Sequence, residues 1–291
     1  MNKLLLSICT SLLLLISGIA CAQGFDTVQI KTIKITDKIY MLEGAGGNIG
    51  VIIGNDGTVI IDDQFDQLTE KIKQALKALS DKPLRFVINT HFHADHTGGN
   101  EKFGGEGSII VAQENSRRRM TTDQLMGQQT MKAAPYNALP KVTFKESINM
   151  HLNGETVEIV HAKNAHTDGD AIIYFKESNV VHAGDVFVRY GLPFIDQPHG
   201  GSINGMINAM DQLLTLVNEE TKIIPGHGAL ANKKDLVEYR DMLVTVRDRI
   251  LKSIREGKTF TQVVESDPTK GFKPAFDKKD WIKAAFDSLK D

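Results

Sequence analysis

The stretch Thr90-His91-Phe92-His93-Ala94-Asp95-His96-Thr97-Gly98-Gly99 decides the reading of this 291-residue chain. Three imidazoles and one carboxylate fall within six residues of it, just after the apolar run Phe86-Val87-Ile88. Such side chains, crowded at one strand end, make a poor core and good ligands. Neutral imidazole and carboxylate suit zinc and other divalent first-row metals, with iron and manganese as alternatives.

Matching donors recur downstream. His166 lies in Asn164-Ala165-His166-Thr167-Asp168-Gly169-Asp170, Asp185 in His182-Ala183-Gly184-Asp185, and His227 in Ile223-Ile224-Pro225-Gly226-His227-Gly228. Asp185 and His227 each follow an apolar run, which puts them on turns where a rigid sheet aims side chains at one point. A lone histidine after a strand is ordinarily structural. Four such segments in this order point instead to a hydrolytic metal site. His151, His161 and His182 read as structural.

Around these segments the chain reads as two β-then-helix halves. Val28, Ile30, Ile33 and Ile35 form a broken alternating run, followed by strand-like residues 39–42, 49–53 and 58–61. Asn55-Asp56-Gly57 reads as a hairpin turn, and Gly44-Ala45-Gly46-Gly47 as a flexible tip. Leu68, Ile72, Ala75, Leu76 and Leu79 recur at helical spacing, and Pro83 ends that helix. Residues 113–132 predict a further helix ending before Pro135. A second β series runs from Val142 to His182. Helices follow over 203–217 and 234–255, with a last short one holding Trp281, Ile282, Phe286 and Leu289. Without regular βαβ alternation, this order implies two packed sheets with helices outside.

Residues 1–22 read as a signal peptide. Lys3 is the positive start, Leu4 to Ile16 the apolar stretch, and Ala20-Cys21-Ala22 the small-residue cleavage site. The run is too short for a membrane span, which takes about 20 apolar residues. Lipid attachment at Cys21 is the lesser alternative, because Gly18 stands where such a site usually has leucine. Cleavage after Ala22 leaves a single domain over residues 23–291 without cysteine, since only Cys9 and Cys21 occur. The mature protein is then periplasmic or secreted, with no membrane span. Net charge is −2, so there is no basic field for nucleic acid. Arg117-Arg118-Arg119 reads as a solvated helix face.

From Ile33 to Gly228 the chain resembles the metallo-β-lactamase superfamily. The resemblance implies an α/β (α+β) fold, the four-layer αββα sandwich, with metals at one edge. It implies that His91, His93 and His166 hold one metal, and Asp95, His96 and His227 the second. Asp185 would bridge them, as in glyoxalase-II-like and lactonase-like branches. Asp62, closing Val59-Ile60-Ile61-Asp62, would support the metal loop. The cysteine ligand of the best-known β-lactamases has no counterpart here.

The expected activity follows from that set. Two divalent ions roughly 3.5–4 Å apart share a hydroxide and clamp a reacting carbonyl. An exported dinuclear zinc hydrolase of a small-molecule ester, thioester, lactone or lactam is expected. Asp95 would orient the hydroxide, Asp185 would keep the ions close, and Tyr190 or His199 would face the substrate. The alternatives are a β-lactamase and a mononuclear iron enzyme similar to the persulfide dioxygenases.

Overall fold

The computed structural model describes residues 24–274 and 276–290. The expected signal peptide, with Cys9 and Cys21, lies outside the described residues. No helix among the described residues is long and apolar enough to cross a membrane.

The first half builds a seven-stranded sheet. Strands β1 (Lys31–Lys34), β2 (Ile39–Glu43), β3 (Ile49–Ile52) and β4 (Thr58–Ile61) form an antiparallel meander. Strands β5 (Leu84–Ile88), β6 (Ile109–Gln113) and β9 (Val142–Phe144) add on in parallel. Helix α1 (Thr69–Leu79) makes the crossover from β4 to β5. The second half builds a five-stranded sheet from β10 (Ser147–Leu152), β11 (Glu155–Ala162), β12 (Asp170–Phe175), β13 (Val180–His182) and β14 (Lys222–Ile224). Only the β13–β14 pair in that sheet is parallel, its crossover carried by α5 (Ile203–Leu216).

Side-chain alternation along the strands sets the layers. Ile39, Met41, Val59, Ile61 and Ile88 from the first sheet meet Val157, Ile159, Ile173 and Val180 from the second, so one buried core lies between the sheets. The alternate residues Val51, Ile60, Val87 and Ile110 face outward onto Ile72 and Leu76 of α1. On the far side, Ile172, Val181 and Ile223 meet α5, α6 (Lys233–Arg255) and α8 (Lys278–Asp287), with α7 (Phe260–Glu265) alongside. Both sheets are thus buried on two faces, which gives the expected αββα order.

One expectation fails. Over residues 113–132 only α4 (Glu114–Met120) is helical. The chain then turns and forms a hairpin, β7 (Gln124–Met126) with β8 (Gln129–Met131), closed at Gly127 with φ +62°. That backbone angle suits glycine and breaks a helix. The hairpin pairs with neither sheet. Nor is the arginine trio simply solvated. Arg118 and Arg119 both reach Asp168, and Arg117 donates to the Pro140 carbonyl.

Candidate metal centre

Strand β5 ends at Ile88, and the ligand loop begins there. Asn89 and Asn100 exchange side-chain hydrogen bonds of 3.1 and 2.9 Å, which tie the loop base to helix α3 (Asn100–Gly105). Asp62, fully buried at the end of β4, anchors the loop from below. It accepts from Thr90 N at 2.7 Å, Thr90 Oγ1 at 2.7 Å and His96 Nδ1 at 2.8 Å. Asp95 and His96 ride on the short helix α2 (Ala94–Thr97). The glycine tip closes over them: Gly47 N donates to the Asp95 carbonyl at 3.0 Å. A Cβ on Gly47 would lie 2.2 Å from His96 Cε1, so only glycine fits there.

The second half brings the remaining donors from three separate turns. His166 lies in a turn pinned by Asp170, which accepts from Thr167 N at 2.8 Å and Thr167 Oγ1 at 2.6 Å. Asp185 follows β13 on a 3-10 turn, Gly184–Val186. His227 follows β14, and buried Asn48 fixes its loop by donating to the carbonyls of Pro225 at 2.9 Å and Gly228 at 2.8 Å.

The hydrogen bonds assign the ring tautomers. His93 Nε2 lies 2.8 Å from Asp196 Oδ2 and donates to it, which leaves Nδ1 a lone pair. His166 Nδ1 donates to the Phe194 carbonyl at 2.9 Å, leaving Nε2 bare. Thr90 Oγ1 gives its own proton to Asp62, so His91 Nδ1, 3.0 Å away, donates to it. His91 Nε2 is then bare as well. These three bare nitrogens converge, with His93 Nδ1 lying 3.1 Å from His91 Nε2 and 3.0 Å from His166 Nε2. Three lone pairs aimed at one point repel unless a cation sits among them.

A second cluster lies beside the first. His96 gives its Nδ1 proton to Asp62, so its buried Nε2 has no hydrogen-bond partner, and neither does Asp185 Oδ1. Those two atoms stand 3.3 Å apart. Asp95 Oδ2 lies 3.6 Å from His96 Nε2 and 3.3 Å from His227 Nε2. The other oxygen of Asp185 faces His227 at 3.4 Å and His166 at 3.8 Å, so this carboxylate stands between the two clusters. Unpartnered buried donor atoms are costly, and coordination of divalent ions would satisfy all of them. The donor set therefore fits the metals that the sequence implies.

Electrostatics agree with this. Burial, then the neighbouring imidazoles, holds His91 well below the usual imidazole range and His166 at about 4, so both rings are neutral. Burial opposes charge on His96, yet Asp95, Asp185 and Asp62 outweigh it and raise its pKa well above that range. His227 is raised to about 9 against the same burial cost, mainly by Asp185. Burial also works against an ionised Asp95, but His96 and His227 bring it down to about 2. Without cations, protons on these two histidines take the role of positive charge.

The two remaining candidates are placed differently. Tyr190 packs its ring 5.8 Å from that of His227, at the edge of the second cluster. His199 reaches neither cluster. Its Nδ1 donates to Asp196 at 2.7 Å, and its ring packs on Phe92. Asp196 thus holds both His93 and His199, and nothing in its sequence context, Phe194-Ile195-Asp196-Gln197, signals that role. Asn48 and Asp170 were missed for the same reason, although a carboxylate four residues after His166 was a usable hint. His182 is structural, its Nε2 lying 3.0 Å from the Asn48 carbonyl. His161 bonds the Asp168 carbonyl, and His151 is exposed on β10.

Comparison with known proteins matches this picture. The chain is 22% identical over 255 residues to a linear primary-alkylsulfatase from Pseudomonas sp., covering 72% of this chain and 48% of that protein. It is 30% identical over 161 residues to a hydroxyacylglutathione hydrolase from Pelagibacter ubique, covering 53% and 57%. It is 22% identical over 265 residues to a metallo-beta-lactamase type 2 from Bacillus cereus, covering 83% and 99%. The chain spans about half the length of the first curated relatives it matches. Among solved structures, a sec-alkylsulfatase from Pseudomonas sp. superposes with a TM-score of 0.67 at 17% identity, covering 91% of this chain and 50% of that one. A metallo-beta-lactamase from Pontibacter korlensis gives 0.63 at 17%, covering 74% and 99%. At that identity the likeness speaks to the fold. The description of the metallo-beta-lactamase superfamily matches residues 42–227, which run from β2 through the last of the converging donors. With its sandwich and its donor clusters in that order, the chain belongs to the metallo-beta-lactamase superfamily.

Proposed function

We propose that this chain is an exported hydrolase that holds two zinc ions and cleaves an ester, thioester, lactone or lactam bond in a small molecule. The observation that carries this reading is the set of bare nitrogens on His91, His93 and His166 and the unpartnered Nε2 of His96, completed by Asp95, Asp185 and His227. His91, His93 and His166 would hold one ion, and Asp95, His96 and His227 the other, with Asp185 between them. Bound there, zinc lowers the pKa of water toward about 7 and polarises an acyl oxygen.

The protein's own side chains do the remaining work. Asp95, kept ionised by His96 and His227, accepts a hydrogen bond from the attacking water and so orients it. Burial, then Asp185, pushes the Tyr190 phenol far up from its ordinary value, so it keeps its proton. It is a donor for the substrate carbonyl or the leaving group. His199 acts through Asp196, which holds His93 in the ring orientation that turns Nδ1 inward. The leader-like residues 1–22 support export, and the hydrolases among the relatives support the reaction class.

Sulfate-ester cleavage is the second reading, favoured by the two alkylsulfatases that match 72% and 80% of this chain. Metal analysis of the purified protein, paired with a lactam, lactone, thioester and alkyl sulfate panel, tests both. Two zinc ions per chain with turnover of an acyl substrate are expected. Turnover of the lactam alone selects a β-lactamase, and turnover of the alkyl sulfate alone selects the second reading. One iron without turnover replaces both with the oxygenase alternative.

A further inference from the structure

A cavity of about 410 Å³ opens beside the clusters, with His93 and Asp95 in its floor. Small-molecule sites typically span about 300–1,000 Å³. A larger groove of about 640 Å³ between α1 and β5 contains none of the converging donors. The walls of the first cavity are Phe65, Phe194, Met126 and Met131, with Thr130 at the rim. No lysine or arginine among the described residues lines it.

The wall is made in an unusual way. Met126 and Met131 belong to the β7–β8 hairpin, which stands apart from both sheets. An isolated hairpin is marginal in water and needs packing from elsewhere. Here the two methionines supply it by packing against Phe92, Met120 and Leu139. Methionine is unbranched and adapts to irregular apolar partners. Such a wall accommodates a hydrocarbon chain of variable shape. An anionic chain lying along the Phe65, Phe194, Met126 and Met131 walls would lose its hydration there without meeting a lysine or arginine of the lining.

We propose that this cavity takes an uncharged, apolar acyl or alkyl chain of the substrate, and that Met126 and Met131 set the preference for it. The inference rests on the hydrolase reading and names the substrate class within it. The test uses the zinc-loaded full chain and p-nitrophenyl acetate, butyrate, hexanoate and hemisuccinate. From acetate to hexanoate, kcat/KM is expected to rise about fourfold per methylene, the equivalent of ~0.8 kcal/mol per buried CH₂. Hemisuccinate should fall below butyrate. Replacing both methionines (Met126→Ala with Met131→Ala) should flatten the series. Thr130 is exposed, so Thr130→Lys leaves the fold alone and should raise hemisuccinate relative to butyrate.

Binding of butyramide, hexanamide and octanamide, measured by calorimetry on the same protein, separates the two ideas. Amide affinity that climbs with chain length, without hydrolysis of any ester or of the lactam, lactone, thioester and alkyl sulfate panel, supports the cavity assignment and removes the hydrolase reading. Ester turnover with a flat series, or with hemisuccinate preferred, overturns the cavity assignment and leaves the hydrolase reading standing. Flat amide binding overturns it as well.

Discussion

The first sheet supplies four donors from six consecutive residues, whereas the second supplies three from turns scattered between residues 166 and 227. In the first half a single loop carries the geometry, and one buried carboxylate, Asp62, locks it. In the second half strand register carries it, since β12, β13 and β14 must align before His166, Asp185 and His227 meet. Local locks and register errors fail differently. A broken lock loosens donors of both clusters and strains the core beneath them. A broken loop on the scattered side misplaces one donor and leaves the core alone.

The hardest test of this contrast is His93→Ala. It removes the donor nearest both partners of the first cluster, and metal content and hydrolysis should be lost together while circular dichroism stays unchanged. An active, metal-free variant would sink the assignment. Asp62→Ala comes next. It leaves Thr90 N and His96 Nδ1 without acceptors in a fully buried place. Urea unfolding of the metal-free protein should show a loss of about 2–4 kcal/mol, alongside a roughly 10–100-fold weaker metal affinity.

Asp196→Ala sharpens the comparison from the other half. Its carboxylate serves His93 and His199 from a loop, so metal affinity should again fall roughly 10–100-fold. The unfolding midpoint should move less than in Asp62→Ala, since two buried donors lose their acceptor in place of three. Equal shifts in the two variants would erase the distinction between lock and loop. A smaller effect comes from pH. Metal-free His227 holds its proton up to about 9, and a cation must displace it. His96 must give up a proton as well, so the affinity of the zinc at the second cluster should strengthen by at least about tenfold per pH unit between 7 and 9, with proton release visible by calorimetry in buffers of different ionisation enthalpy. Arg119→Ala should matter least. Its bidentate contact to Asp168 is part-exposed, so about 1 kcal/mol or less is expected, with metal content intact.

Much of the first half was legible because its signals are local. A polar run after an apolar strand, or a glycine pair beside it, is visible in a few residues. Strand and helix order implied two packed sheets with helices outside, and the resemblance to the superfamily supplied the αββα order. What escaped depends on contacts between distant segments. Asp196 meets His93 across 103 positions, and no pattern near either residue announces it. The β7–β8 hairpin escaped for a different reason. Gln, Leu and Met favour helix intrinsically, yet Gly127 and the packing of Met126 and Met131 on Phe92 override that preference. Tertiary contact decided the segment whose wall shapes the cavity.

Each donor cluster draws from both sheets: His91 and His93 with His166, and Asp95 and His96 with His227. A cation seated in either one is therefore a clasp across the sandwich. Free metal at about a thousand times its dissociation constant adds about 4 kcal/mol to the folded state. Chelation would then loosen the seam between the halves as well as silence the centre, and the thermal midpoint of this protein becomes a gauge of the metal available around it.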